Sequence, residues 1–175
     1  TVPVLHAAAL TWDTATGDGA GITGGSGNWN TTAGNLVWND GTTPNVVWSQ
    51  TSTTSGSNTA TFAGADGALD QYVVTLNSPM AAQSLAFDSS GYLVAGSTLA
   101  LVNGTANGAI VVAAGKTATV NSILRYNHNV GATITSNSGS ALNLGGGTTA
   151  SFNPQLNLSG AGTVNFTGGT FASNI

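Results

Sequence analysis

The feature that most constrains the fold is a succession of very short apolar runs in the second half of the chain. From Tyr72 onward, runs of about three to five residues recur about every seven to nine residues, with Gly, Asn or Ser in nearly every gap. Apolar and polar residues alternate inside them; for example, Leu142 and Leu144 flank Asn143. Because strand side chains alternate between two faces, the pattern predicts many short β-strands, each with one apolar face.

These short runs favour one all-β architecture over the others. The predicted strands are Tyr72–Leu76, Ser84–Phe87, Tyr92–Ala95, Leu99–Val102, Ile110–Ala113, Ala118–Asn121, Leu124–Asn127, Thr133–Ser136, Ala141–Leu144, Ser151–Asn153, Leu156–Leu158, Thr163–Phe166 and Thr170–Ala172. A sandwich or barrel usually has longer strands, whereas a β-solenoid uses short strands as successive faces of a coil. Three strands per coil give a coil of about 22–25 residues and about four or five coils in residues 70–175. The sequence therefore predicts a β-solenoid.

The first half of the chain differs, because it holds all four tryptophans, at positions 12, 29, 38 and 48. Its predicted strands are Gly27–Trp29, Leu36–Trp38, Val46–Trp48 and Thr59–Phe62. Each Trp can bury roughly 150–250 Å², so the four are interpreted as core residues rather than as stacking platforms for sugar rings. A solenoid needs a cap, since its end coils expose strand edges. We expect an N-terminal extended segment at 1–10, a Trp-rich β cap at 11–69 and solenoid coils at 70–175.

The small number of charges excludes several classes of partner. Charged residues make up 5% of the chain, and Lys116 and Arg125 are its two cations. Two cations cannot form the basic surface that nucleic acids or anionic membranes require. No stretch approaches the roughly 18 apolar residues of a transmembrane helix, so membrane insertion is not expected. The uncharged composition suits a secreted protein, and the lack of a signal peptide in Thr1–Leu10 predicts a mature form with its signal removed.

Reactive side chains are few and scattered, and we therefore predict no enzyme activity and no cofactor. His6 and His128 share no metal-binding spacing, and the chain has no cysteine. Only Asp70 and Asp88 provide carboxylates in the predicted coils, both at their start, whereas glycoside hydrolysis needs a pair at a defined separation. We interpret both as solvated turn residues.

Calcium binding is the alternative that the remaining acidic residues leave open. Asp13, Asp18 and Asp66 have the ligand chemistry that this ion prefers, but the EF-hand pattern and the GGxGxD repeat are both missing from the sequence. We therefore predict no metal site. Lys116 and Arg125 are expected to be lone surface charges.

A series of motifs follows a fixed order along nearly the whole chain. They are Leu10-Thr11-Trp12-Asp13, Gly27-Asn28-Trp29-Asn30, Trp38, Trp48, Asn58-Thr59-Ala60-Thr61-Phe62, Val73–Leu76, Ser84-Leu85-Ala86-Phe87, Gly91–Leu93 and Leu99–Val102. In this order they resemble the N-terminal region of bacterial proteins with autotransporter-associated β-strand repeats. The resemblance implies a right-handed parallel β-helix that is secreted or displayed at the cell surface, in an adhesin or a surface structure.

The two ends of the chain predict assembly. A strand-like C-terminus exposes an edge that can pair with another strand, and the N-terminus is apolar and extended. A head-to-tail contact between these ends would not close and would give a filament. The predicted interface consists of Val2, Pro3, Val4, Leu5, Leu10, Phe171 and Ile175.

The sequence therefore predicts a non-enzymatic extracellular structural protein that assembles with itself, head to tail, into a surface filament or matrix. The first alternative is a surface adhesin or glycan-binding module of an autotransporter-like passenger, whose partners would be glycans or neighbouring cell surfaces. The second alternative is a fragment of a polysaccharide-degrading β-helix enzyme.

Overall fold

A computed structural model describes residues 8–15, 21–41, 45–51, 57–101, 108–126, 131–150 and 155–171. All regular secondary structure in these ranges is β. The strands are β1 (Ala9–Trp12), β2 (Gly27–Trp29), β3 (Trp38–Asn39), β4 (Thr59–Phe62), β5 (Tyr72–Leu76), β6 (Met80–Ala82), β7 (Ser84–Phe87), β8 (Tyr92–Gly96), β9 (Leu99–Leu101), β10 (Gly108–Val112), β11 (Thr117–Val120), β12 (Leu124–Tyr126), β13 (Ala132–Ser136), β14 (Ala141–Leu144), β15 (Thr148–Ala150), β16 (Leu156–Ser159) and β17 (Thr163–Phe166).

Three parallel sheets form the faces of a coil. Sheet A contains β1, β4, β7, β10, β13 and β16 in that order, with β3 added beside β1. Sheet B contains β2, β5, β8, β11, β14 and β17, and sheet C contains β6, β9, β12 and β15. The chain visits the three faces in turn and then pairs with its own previous coil, which confirms the predicted parallel β-solenoid. Sheet C has four strands, so four coils carry all three faces.

The register fixes the length of a coil. Ser84 pairs with Ala109, Ala109 with Thr133, and Thr133 with Asn157, so successive coils take 25, 24 and 24 residues. Inward-facing side chains consequently stack in columns along the axis. In one column Leu85, Ile110 and Ile134 succeed one another in register and are completely buried. The core is therefore a continuous apolar column. Burial of each such side chain contributes about 1.5–3 kcal/mol to the stability of the fold.

Glycine makes one series of sharp corners, where the chain turns from sheet A to sheet B. Gly91 and Gly115 both have positive φ angles, of 95° and 71°, which other residues rarely adopt. Gly91 also lies against the previous coil: a Cβ there would be 2.7 Å from the carbonyl oxygen of Ala68. At Gly115 the same Cβ would meet no atom within 4 Å. The corner at Gly91 therefore needs glycine for space as well as for conformation.

The Trp-rich part of the chain contributes strands to the same sheets. β1 pairs in parallel with β4, and β2 pairs in parallel with β5, so the sheets continue across residue 70 without a break. β1 also crosses the predicted boundary between residues 10 and 11. What distinguishes this part is β3, which pairs with β1 antiparallel and ends sheet A on that side. The division into a cap and coils stays a prediction from the sequence.

Candidate interaction surfaces

The N-terminal end of the solenoid is closed by a cluster of indole rings. All four Trp side chains are completely buried, so none is available on the surface to stack on a sugar. Trp12 and Trp38 pack edge to face with ring centroids 5.1 Å apart, and Trp29 and Trp48 do so at 4.9 Å. Because edge-to-face packing sets a positive ring edge against a negative ring face, these contacts stabilise the cluster beyond the area buried.

Two of the four indole N–H groups donate hydrogen bonds to backbone oxygens, and two do not. Trp12 Nε1 donates to the carbonyl oxygen of Gly25 at 2.8 Å, and Trp48 Nε1 donates to that of Ala81 at 3.0 Å. The N–H groups of Trp29 and Trp38 are buried without an oxygen acceptor. Both rings meet neighbouring indoles edge to face, an arrangement in which an aromatic face can receive the N–H.

Asp13 holds together the segments around the first strand. Its carboxylate Oδ1 accepts hydrogen bonds from Thr23 Oγ1 at 2.7 Å and from the Ala15 N–H at 3.2 Å. Its backbone carbonyl accepts a hydrogen bond from Asn45 Nδ2 at 2.9 Å. These bonds join three separate stretches of chain, so the described contacts of Asp13 are structural. Its second oxygen, Oδ2, is buried without a hydrogen-bond partner.

The other candidate metal and catalytic residues do not converge. Within the described ranges no group of three or more His or acidic side chains comes together. Asp70 lies in the turn before β5 and Asp88 follows β7, and no hydrogen bond joins their carboxylates. His6, His128 and Asp18 lie outside the described residues.

One predicted lone charge is in fact paired, which corrects the expectation for Lys116. Its Nζ lies 2.7 Å from Oδ2 of Asp66, although fifty residues separate the two along the chain. Asp66 Oδ1 also accepts a hydrogen bond from the Ser90 N–H at 2.8 Å. The hydrogen bond from Lys116, followed by that from Ser90, lowers the pKa of Asp66 below its ordinary value of 3.8. The pair joins the corner between β4 and β5 to the corner between β10 and β11, two coils further along, which a scan of the sequence cannot detect.

Substitution of Lys116 by methionine is expected to raise the pKa of Asp66 toward 3.8, as measured by NMR titration of its carboxyl carbon. Because the folded-state pKa lies below the unfolded value, the pair stabilises the fold above about pH 3.8 and that stabilisation disappears as the pH falls through the lowered pKa. The effect on unfolding should be small, since Asp66 is exposed. Arg125→Met is the control. An unchanged Asp66 pKa in Lys116→Met would contradict the assignment.

The outer faces of sheets A and B are uncharged and carry hydroxyl and amide groups. On sheet A, the hydroxyl of Thr135 lies 2.8 Å from that of Ser159. On sheet B, Asn165 Nδ2 donates to Asn143 Oδ1 at 2.9 Å. Arg125, on sheet C, is the one charged residue within the described strands. These faces can exchange hydrogen bonds with a partner but provide almost no charge.

Among the described residues, the inner side chains of the last two strands, β16 and β17, are partly exposed. Leu158 and Phe166 are in register with Ile134 and Leu144 of the preceding coil, which are buried. Their own exposed fractions are 51% and 48%. Phe171 packs edge to face on Phe166, with ring centroids 4.5 Å apart.

The structure separates the described residues of the predicted assembly interface. Leu10 is buried in the core, and its backbone pairs with Ala60, so its side chain is not presented to a partner. Phe171 lies at the opposite end of the molecule, where it bridges to Thr148. Val2, Pro3, Val4, Leu5 and Ile175 lie outside the described residues. Head-to-tail contact therefore stays a prediction.

Leu158 and Phe166 are the surface residues that sequence reasoning missed. Both were recognised as the apolar positions of short strands, and the alternation pattern assigned them to a core. Their exposure depends on the position of their coil in the stack, which alternation alone does not reveal.

Among the described residues, no helix has the length and hydrophobicity needed to span a bilayer. The chain is similar to the adhesin BmaC autotransporter of Brucella suis biovar 1 (strain 1330), with 38% identity over 105 residues. The match covers 58% of this chain and 3% of that protein, so the chain spans a small part of its relative. No protein-family model matches the chain, and no solved structure matches it either. Similarity to an adhesin, on a solenoid fold, points to the cell surface or the extracellular space.

Proposed function

We propose that the chain is a non-enzymatic segment of a bacterial surface adhesin, in which a rigid β-solenoid presents uncharged hydroxyl and amide groups to a partner surface. The observation that carries this proposal is the similarity to an autotransporter adhesin over 105 residues. The parallel coil agrees with it, because a solenoid provides broad, regular faces for contact.

The outer face of sheet A is the best candidate for the adhesive surface. One outward column on this face has one residue on each of five successive coils: Thr61, Ala86, Val111, Thr135 and Ser159. Small side chains leave this face flat, and hydroxyl groups both donate and accept hydrogen bonds. Glycans present the same kind of group, so neutral sugar surfaces suit this face better than charged polymers.

Two features restrict the mode of binding. The buried indoles remove aromatic stacking by the four Trp residues from consideration, so recognition of a glycan rests on hydrogen bonds. The predicted head-to-tail filament rests on the sequence alone, and no contact among the described residues supports it.

Beads coated with the purified chain are expected to bind immobilised neutral polysaccharides more strongly than beads coated with an unrelated β-solenoid. The double substitution Thr61→Lys and Thr135→Lys should remove most of that binding. It places two charges on the uncharged face, and a partner that covers this face must then strip water from both at a cost in free energy. The matched control is Asn143→Lys on sheet B, at a position of similar exposure. Binding equal to the unrelated solenoid would refute the proposal, and equal losses in both variants would exclude sheet A as the adhesive face.

A further inference from the structure

We propose that the glycan held on sheet A is a flat ribbon of neutral hexoses, which lies parallel to the strands with one apolar ring face against the protein. This inference rests on the proposed function and names the class of polysaccharide that the same face takes. It follows from an apolar band that lies between two rows of threonine on four successive coils in the middle of the sheet.

The outer face of sheet A is uncovered over these four coils. The outward side chains of β4, β7, β10 and β13 are all partly exposed, and we call these eight residues the central patch: Thr59, Thr61, Ser84, Ala86, Ala109, Val111, Thr133 and Thr135. On sheet C, by contrast, the outward Ala81 and Ala100 are completely buried. Sheet A is therefore free where β6 and β9 of sheet C are covered.

Polar and apolar side chains are arranged in rows across the central patch. The first row, in β4, and the last row, in β13, are each a pair of threonines. The two rows between them, in β7 and β10, contain Ala86, Ala109 and Val111. The one hydroxyl in these two rows, on Ser84, lies 2.8 Å from that of Thr59 and bonds to it. The centre of the patch is therefore an apolar band, and hydroxyl groups border it on both sides.

Each border also has a hydroxyl that the protein does not use. Thr61 lies on one side of the apolar band and Thr133 on the other, and neither side chain makes a hydrogen bond within the described residues. A threonine hydroxyl can donate one hydrogen bond and accept two. The two threonine rows lie three strand spacings apart, which is about 14 Å. A ligand that satisfies both borders therefore has an apolar surface with hydroxyl groups along its two edges.

A ribbon of hexoses has this distribution of groups. A pyranose ring with equatorial substituents presents C–H groups on its faces and hydroxyls around its edge, and equatorial linkages keep successive rings in one plane. Contact with the apolar band is favourable because it removes the C–H surface from water. β10 has five residues and is roughly 16 Å long, which gives room for about three rings. Helical or bent chains, such as α-linked glucans, cannot place three successive ring faces on a flat band.

Affinity electrophoresis compares the two classes of glycan directly. The folded chain is run through gels that contain hydroxyethyl cellulose, which is a ribbon, or pullulan or dextran, which are not; all three are neutral. We expect the cellulose derivative to bind at least about fivefold more tightly, because it alone reaches both borders and the band. Equal binding of all three glycans would overturn the ribbon and leave the proposed function standing. Binding of none of them would overturn both.

Variants of matched shape test the apolar band separately from the hydroxyls. Val111→Thr combined with Ala86→Ser should weaken binding of hydroxyethyl cellulose at least about threefold, because the new hydroxyls keep water on the band. Thr61→Val combined with Thr133→Val should cause a similar loss, because it removes the free hydroxyls. Thr117→Val on sheet B is the matched control and should bind as the parent chain does.

Circular dichroism will verify that each variant is folded. Binding that stays the same or rises in the first double variant would overturn the proposal, since recognition would then depend on hydroxyl groups alone.

Discussion

Replacement of Trp29 by alanine is expected to lower the free energy of unfolding by about 3–5 kcal/mol, which is the usual cost of removing a large aromatic side chain from a core. The Trp29 ring lies 4.9 Å from the ring centroids of both Trp38 and Trp48 and 6.1 Å from that of Phe62. Its loss removes edge-to-face contacts as well as buried area, and the surrounding rings cannot close the space without breaking contacts of their own. Urea denaturation followed by far-ultraviolet circular dichroism measures the change.

Leu69→Ala is the control for this experiment, because Leu69 is 62% exposed and its truncation should change stability by no more than about 0.5 kcal/mol. Equal stability of Trp29→Ala and the parent chain would show that the indole cluster is not the core of this end. A reduced slope of the urea transition in Trp29→Ala would indicate instead that the first coils had become separated from the cooperative unit.

Replacement of Gly91 by alanine is expected to destabilise the chain by about 1–3 kcal/mol more than replacement of Gly115, because it adds overpacking to conformational strain. Both corners have positive φ, so each substitution costs roughly 1–2 kcal/mol for conformation alone. Only at Gly91 does the added Cβ approach the backbone of the previous coil, at 2.7 Å from the Ala68 carbonyl oxygen. Thermal and urea unfolding of the two variants measure the difference.

Gly21→Ala provides the third member of this series, since its Cβ meets no atom within 4 Å and its φ is not in the left-handed region. It should leave the stability almost unchanged. Similar losses at Gly91 and Gly115 would mean that the backbone moves to admit the methyl group. The close contact between coils would then not be what requires glycine at this corner.

The sequence predicts most of the strands because alternation and turn residues are local signals. β2, β4, β5, β7, β14 and β17 have the bounds that the sequence predicts. β6 was missed because Met80–Ala82 lacks β-branched and aromatic residues, and β15 because Thr148–Ala150 lacks a large apolar side chain. Both belong to sheet C, where their positions are determined by register with neighbouring coils. The predicted strand at Ser151–Asn153 lies outside the described residues.

The interaction surfaces are less accessible to prediction, because they depend on where each coil lies in the stack. Leu158 alternates with Asn157 as Leu144 alternates with Asn143, yet Leu158 is exposed and Leu144 is buried. Sequence spacing likewise gives no indication that Lys116 meets an acid on an earlier coil. The indole cluster was predictable as a core, because four large apolar rings in so short a stretch can bury much surface together.

The length of a coil also determines the axial rise per residue of such a molecule. A chain that passes from Ala109 to its partner Thr133 uses 24 residues to advance by one strand. With strands about 4.8 Å apart, each residue adds roughly 0.2 Å along the axis, against about 1.5 Å in an α-helix. A projection of about 500 Å would therefore take roughly 2,500 residues. A surface protein built in this way adds outer surface area with every coil, and it reaches far from the cell only if its chain is very long.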